Sequence, residues 1–587
     1  MHLMAKKATG SGANVQPNGA DEFLPDDLKL VKDISESTIE SEGVELVPAS
    51  GIREFATDEV GEVVGAAVTV GITVKMIREP ETLRVGTPLI VEGGMLHFYS
   101  LTTDIAYPAS NIAVAFANSP MASLLPVKDV PGVRGSPFYA LASLNCLAIL
   151  EPTTADAGDE AVIQRPFDTI PRLLSKVRLA RQDDLRMVFR GSENSGVIGG
   201  LNGIEELQVP IDFLELIKVP FGVFGSTGSG KSVFTKILSS WIVKLQLASL
   251  VIFDVMGEYT WRSHEGDTPG LAALFGDRQV ITMALDQEKA PMGAEEFFLY
   301  KENVSAGDLL TALSDQDLTT PQINSIDILY EELTKGTATK DNLIDYILDI
   351  TEKTKPDAVN AKTVNALKNR VRKFANLPFL RTGTPEEQKE TPDSLKRILE
   401  LLRNKKTIIL NFGRFTDDKA YYMFIANIVT RRIRHEFSKN EGTYPQTVIL
   451  LEEAHKFLSP EVGQFSIFGK IAREMRKYGL TLGIVDQRPS QIHAEVFSQL
   501  ANRFILRLSD PKDVDAALSG VGEASQWKGI LRGLQNRQVV AMGTCITVPS
   551  IVTPWTFNDA NAKTMLGLSK IAKEVKTSIT DEDVADI

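Results

Sequence analysis

The chain of 587 residues has only two cysteines, Cys146 and Cys545, and six histidines. Two scattered cysteines exclude a disulfide framework and a four-cysteine metal site, and the histidines show no metal-ligand spacing. That scarcity points to a reducing, cytoplasmic setting. No run of about 18 apolar residues occurs, so no membrane span is expected. Positive charge is not in excess either. The formal net charge is −13, which argues against a simple basic DNA-binding module. It leaves room for a protein whose basic residues line one channel while its acids face solvent, because the local field matters more than the sum. The chain opens without an apolar signal core and contains no internal repeat.

The remaining composition is that of a globular protein, with 43% apolar and 24% charged residues. The length predicts roughly three or four domains. Residues 1–48 read as a flexible leader. From 49 to 160 short runs of Val, Ile, Thr and aromatics, such as "EVVGAAVTVGITVKMI" and "NIAVAFA", are broken by glycine and proline, which predicts a small β-barrel or sandwich. From 161 to 285 the texture turns α/β, with apolar strands at "VPFGVFG", "SLVIFDVMGEY" and "QVITMAL". Residues 286–403, from "EEFFLYKENV" to "NALKNRVRKF", carry apolar positions at helical spacing and predict an all-helical insertion. Strands return over 404–560 in "KTIILNFG", "QTVILLEEAH", "LTLGIVDQ" and "NRFILRLSD", separated by helical stretches. This alternation predicts an α/β core, a mainly parallel sheet with helices on both faces. Residues 561–587 read as an acidic tail.

The chemistry starts at "GSTGSGKSV", Gly225, Ser226, Thr227, Gly228, Ser229, Gly230, Lys231, Ser232 and Val233. The spacing is G-x-x-x-x-G-K-[ST] between an apolar strand and a helix. Glycines let backbone N–H groups wrap phosphates, Lys231 reaches the β- and γ-phosphates, and Ser232 can ligate Mg²⁺. ATP and Mg²⁺ are the expected cofactors. A P-loop ATPase needs a second strand that ends in carboxylates, and "VILLEEAH" supplies it. Glu452 is assigned to the metal shell through water and Glu453 to the attacking water. Glu452 stands where aspartate is usual, so its side chain must retract by one methylene. Gln487, at the end of "LTLGIVDQ", is a candidate sensor of the γ-phosphate. Asp254 and Glu258 in "DVMGEY" leave a strand at the edge where ligands bind in open α/β sheets. His455 reads as a local structural contact.

In order along the chain, "GSTGSGKS", "DVMGEY", "LLEEAH" and "IAREMRKYGLTLGIVDQRPSQIHAEVFSQLANRFILRLSDPKDVDA" resemble the HerA-type ATPases of the FtsK/HerA superfamily. The early β segment resembles that family's N-terminal barrel. The resemblance implies a homo-hexameric ring, ATP hydrolysis between subunits, and double-stranded DNA passing through the centre. It also implies a partner nuclease of the NurA type in DNA-end resection, or another effector in anti-phage defence. Arg473 and Arg476 match the family's arginines near the subunit boundary, and Arg476 is the favoured trans finger. Met475 stands where the family often has glycine. Lys470, Arg473 and Lys477 fall near one face of a helix read as Ile467–Tyr478, which a ring would repeat as a basic collar. Lys456 and, in "MGEYTWRSHEG", Arg262 are further DNA-contact candidates, with Trp261 and His264 in the same loop. The alternatives are a nucleotide-switched platform for an effector enzyme and a conjugation- or packaging-type motor.

Overall fold

A computed structural model describes residues 58–108, 139–152, 162–260 and 268–568, apart from 315, 417, 461–466 and 523. The leader, "NIAVAFA", most of the acidic tail, and Trp261, Arg262 and His264 lie outside the described residues.

Seven strands form the first body: β1 (Glu59–Ala67), β2 (Gly71–Met76), β3 (Pro88–Gly93), β4 (Leu96–Ala106), β5 (Leu141–Pro152), β6 (Val162–Arg165) and β7 (Lys176–Leu179). Their order is β2-β1-β7-β3-β4-β5-β6, and β2 also pairs with β5. Six strands therefore close into a barrel, with β6 appended to β5. Inward side chains alternate along each strand, and Val60, Val63, Val74, Leu89, Val91, Phe98 and Val177 fill the interior. The barrel reaches beyond residue 160, because β7 is the stave that joins β1 to β3.

The second sheet has twelve strands: β8 (Ser195–Leu201), β9 (Ile204–Asp212), β10 (Phe221–Phe224), β11 (Ser249–Asp254), β12 (Val280–Ala284), β13 (Glu295–Glu296), β16 (Thr407–Asn411), β17 (Thr447–Glu452), β18 (Leu480–Asp486), β19 (Asn502–Leu506), β20 (Val539–Met542) and β21 (Ser550–Pro554). A separate short pair joins β14 (Leu299–Tyr300) to β15 (Leu380–Arg381). The order in the large sheet is β13-β12-β16-β11-β17-β18-β10-β19-β20-β21-β8-β9. Pairings from β13 through β19 are parallel, and those from β19 to β9 are antiparallel. This is a RecA-like core with an antiparallel wing.

The parallel strands β10, β11, β16 and β17 are apolar through their middles, as strands buried on both faces are expected to be. Alternate residues feed two cores: Leu250, Ile252, Val448 and Leu450 on one face, Val251, Phe253, Ile449 and Leu451 on the other. The helix Lys231–Leu245 covers the first face with Phe234, Ile237, Leu238 and Ile242, spaced as one helical stripe. The long helix Lys419–Lys439 covers the second, together with the helices between β14 and β16.

Two segments differ from their sequence expectation. "EEFFLYKENV" is not a helix; it contains β13, β14 and a 3₁₀ turn, Lys301–Asn303. Its short strands dock against β12 and β15, so tertiary pairing overrides the apolar spacing. The helix expected over Ile467–Tyr478 is α-helical only to Glu474 and then tightens to a 3₁₀ turn, Met475–Tyr478. Gly479, at φ +74°, ends it and turns the chain into β18.

Candidate active site

Parallel strands deliver their carboxyl ends to one edge of the sheet, and the site is assembled there. β10 runs into the P-loop, β11 ends at Asp254, β17 at Glu452 and β18 at Asp486. β18 lies between β17 and β10, so on that side of the P-loop two successive strands end in acids, Asp486 and Glu452.

The P-loop is held by backbone bonds on both sides. Gly225 N–H donates to the Asp486 carbonyl (3.2 Å), Ser226 N–H to the Arg507 carbonyl (2.9 Å), and Arg537 N–H to the Ser229 carbonyl (3.1 Å). Gly228 and Gly230 sit at φ +74° and +102°, the left-handed region that glycine takes without steric strain. A Cβ on Gly225 would lie 2.5 Å from Ser229 Oγ, so that position admits no side chain. Ser229 Oγ is buried without a hydrogen-bond partner. Such an orphan is unusual, and it fits a loop completed by phosphate oxygens. Burial pushes the Lys231 pKa down, and nearby carboxylates, Glu453 foremost, pull it back up.

Glu453 follows β17 at φ +49°, a conformation uncommon outside glycine. Its carboxylate accepts a hydrogen bond from Gln487 Nε2 at 3.2 Å. Gln487 Oε1 accepts one from the Thr227 hydroxyl at 2.8 Å. His455 Nδ1 lies 3.0 Å from Asp486 Oδ2 and 3.7 Å from Glu453 Oε2. Asp486 is fully buried and also accepts from the backbone N–H groups of His455 (2.6 Å) and Arg488 (2.7 Å). The structure thus brings together Thr227, Lys231, Glu453, His455 and Gln487 across three chain segments.

Glu452 is buried, and Tyr259 Oη donates to its Oε1 at 2.7 Å. Burial pushes its pKa up to about 8. Asp254 is fully buried and accepts from the N–H groups of Glu258 (2.9 Å) and Tyr259 (3.0 Å); burial raises its pKa to about 6. Lys236, one turn after Ser232, is buried, and the charges of Glu258, Asp254 and Glu452 act on it. Among the described residues no three acids or histidines converge as a closed metal cage. Hard oxygen donors at Ser232, Glu452 and Asp254 nevertheless suit Mg²⁺, which keeps its waters and is held largely by substrate phosphates.

The basic candidates separate. Lys470 and Arg476 are exposed. The Lys477 ammonium lies 4.7 Å from the Tyr478 ring centre, in the 3₁₀ turn that follows the α-helix carrying Lys470. Lys456 is half-buried, its ammonium 5.8 Å from the Tyr422 ring centre. The Arg473 side chain lies outside the described part of the structure. Sequence reading missed Tyr259, Lys236 and Asp486. Asp486 lay beside Gln487 in the same strand end, and only the alternation of that strand distinguishes the buried residue from the one facing the loop.

A family model described as "Helicase HerA, central domain" matches residues 197–433. The DNA double-strand break repair helicase HerA of Sulfurisphaera tokodaii is 23% identical over 428 residues, covering 72% of this chain and 80% of that protein. Its counterpart in Pyrococcus furiosus is 25% identical over 430 residues, covering 66% and 74%. Residues 197–433 therefore match a HerA central domain, and the chain is a P-loop ATPase similar to these helicases. Among solved structures, VirB4 of Thermoanaerobacter pseudethanolicus aligns with 14% identity and a TM-score of 0.43, covering 62% of this chain and 98% of that one. No described helix is long and apolar enough to cross a membrane.

Proposed function

We propose that this HerA-type chain is the protomer of a hexameric ring that uses ATP hydrolysis to move along double-stranded DNA. We further propose that it serves a partner enzyme, a NurA-type nuclease in end resection or another effector in defence. The observation that carries the reading is the Thr227–Gln487–Glu453 chain of hydrogen bonds, which joins the phosphate loop to the acid that would act on water. The names of the relatives, double-strand break repair helicases, supply the DNA.

In the proposed reaction Lys231 and the loop N–H groups hold the β- and γ-phosphates. Glu453 accepts the proton of the attacking water, which Gln487 helps to orient. Mg²⁺, when bound, neutralises charge on the phosphate oxygens, with Ser232 as direct ligand and Glu452 behind a water. Arg476, or Arg473, reaches the γ-phosphate of the neighbouring subunit as a planar donor. Lys470 and its symmetry copies contribute a sequence-independent phosphate contact.

Glu452 favours a second reading, a nucleotide-switched platform, because it is longer than the usual aspartate and is pinned by Tyr259. ATPase turnover with and without duplex DNA separates the two. The motor reading expects DNA-stimulated turnover that falls as salt rises. Turnover indifferent to DNA, with no movement on a duplex, would leave only the platform.

A further inference from the structure

This inference rests on the nucleotide reading above and concerns the opposite end of the same ligand. The carboxylates gather on one side of the P-loop, at the tips of β11, β17 and β18. The γ-phosphate and its metal belong on that side, since the acids act on water and metal there. The nucleoside must then extend toward the other side, where β19 borders β10 and β20 lies beyond it.

Two arginines stand on that side. Arg507 follows β19; its carbonyl accepts from Ser226 N–H and Oγ (2.9 and 3.0 Å), and its guanidinium donates to Asn536 Oδ1 at 3.3 Å. Arg537 precedes β20 and donates its N–H to the Ser229 carbonyl. A Cβ on Gly230 would lie 3.7 Å from Arg537 Cγ, so the stem of Arg537 runs along the loop. The side chain is exposed and has no ion-pair partner among the described residues. Its backbone is at φ +70°, which costs a residue other than glycine some stability. Neither packing nor charge pairing explains an arginine at a turn that glycine would make without strain.

We propose that Arg537 closes the nucleoside end of the nucleotide site in its own subunit, its guanidinium plane lying on the base. Arginine suits this task, being planar, permanently charged and able to stack on a π-face. Stacking tolerates any base, so the contact adds affinity and leaves base choice open.

Competition against a fluorescent ADP, with the full chain, tests it. Arg537→Gly keeps the left-handed turn and should weaken MgADP binding about 3- to 30-fold. Tripolyphosphate, which has no base, should bind as it does to the parent chain. Arg537→Lys keeps the charge and loses the plane, so it should fall with the glycine variant. Unchanged ADP affinity, equal loss for ADP and tripolyphosphate, or full rescue by lysine would each overturn the assignment. A parent chain that binds neither compound would overturn the nucleotide reading and this inference with it, an outcome distinct from the other three.

Discussion

Gln487 tethers Glu453: its amide nitrogen lies 3.2 Å from the carboxylate, and its amide oxygen is held by the Thr227 hydroxyl at 2.8 Å. The acid is therefore oriented by the same loop that would grip the phosphates. Removing the middle of this chain should cost more than removing its far end. Gln487→Ala should lower kcat about 10- to 100-fold, and Thr227→Val about 3- to 10-fold, the loss of one hydrogen bond. Phosphate release at saturating ATP is the measurement. Equal kcat in both variants and the parent would detach Gln487 from hydrolysis.

Glu453 and Lys231 should fail in different ways. Glu453→Gln keeps the shape and removes the base, so kcat should drop about 10²- to 10⁴-fold while ATP still binds. Lys231→Ala should lose binding itself. Titration with a slowly hydrolysed ATP analogue, beside single-turnover rates, tells the two apart. Fast turnover in Glu453→Gln would move the role to Glu452 or Asp254.

Glu452 should make the nucleotide-free protein less stable as the solution becomes alkaline. Its pKa is pushed from 4.5 to about 8 by burial, so between those values the folded chain holds a proton that the unfolded chain has lost. That stabilisation is complete below pH 4.5 and disappears as pH rises through 8. Asp254, raised from 3.8 to about 6, acts with the same sign over its own window. Each group can contribute a slope of at most about 1.4 kcal/mol per pH unit. The melting temperature without nucleotide or Mg²⁺ should fall from pH 6 to 8, and Glu452→Gln should flatten the fall. A parent profile that rises over this range would contradict the buried, protonated acid.

Asp308 ties the helices after β14 to the core. It is fully buried and accepts from Asn427 Nδ2 (2.8 Å), Arg431 Nη2 (2.7 Å) and Ser305 Oγ (2.6 Å). Asp308→Ala leaves Arg431, about a third exposed, without its partner. The loss should be about 2–3 kcal/mol, below that of a wholly buried pair. Urea unfolding gives the number, and a loss under about 0.5 kcal/mol would mean that the pair acts as a surface ion pair.

The strand-and-helix alternation and the P-loop were readable because each is local: apolar periodicity and glycine spacing act within a few residues. The order β17-β18-β10 agrees with the assignment of Glu453 and Gln487 to the phosphate loop, since both follow strands on one side of β10. What escaped was set by contacts distant in sequence. Tyr259 meets Glu452 across 193 positions, and nothing in "MGEY" alone marks its hydroxyl as a partner. β7 belongs to the barrel only because β1 and β3 need a strand between them. "EEFFLYKENV" carries helical spacing yet forms strands, because β12 and β15 offer open edges beside it.

The helices from Ala306 to Arg403 share one continuous apolar core with the strands: Leu309, Ile344, Leu367 and Phe374 belong to the same packed cluster as Phe224, Phe253 and Leu451. Though interposed in sequence between β14 and β16, they are thus not a detachable module. Excising them would strip one face of the ATPase sheet, so the engine and its apparent accessory must fold, and change over evolution, as one body.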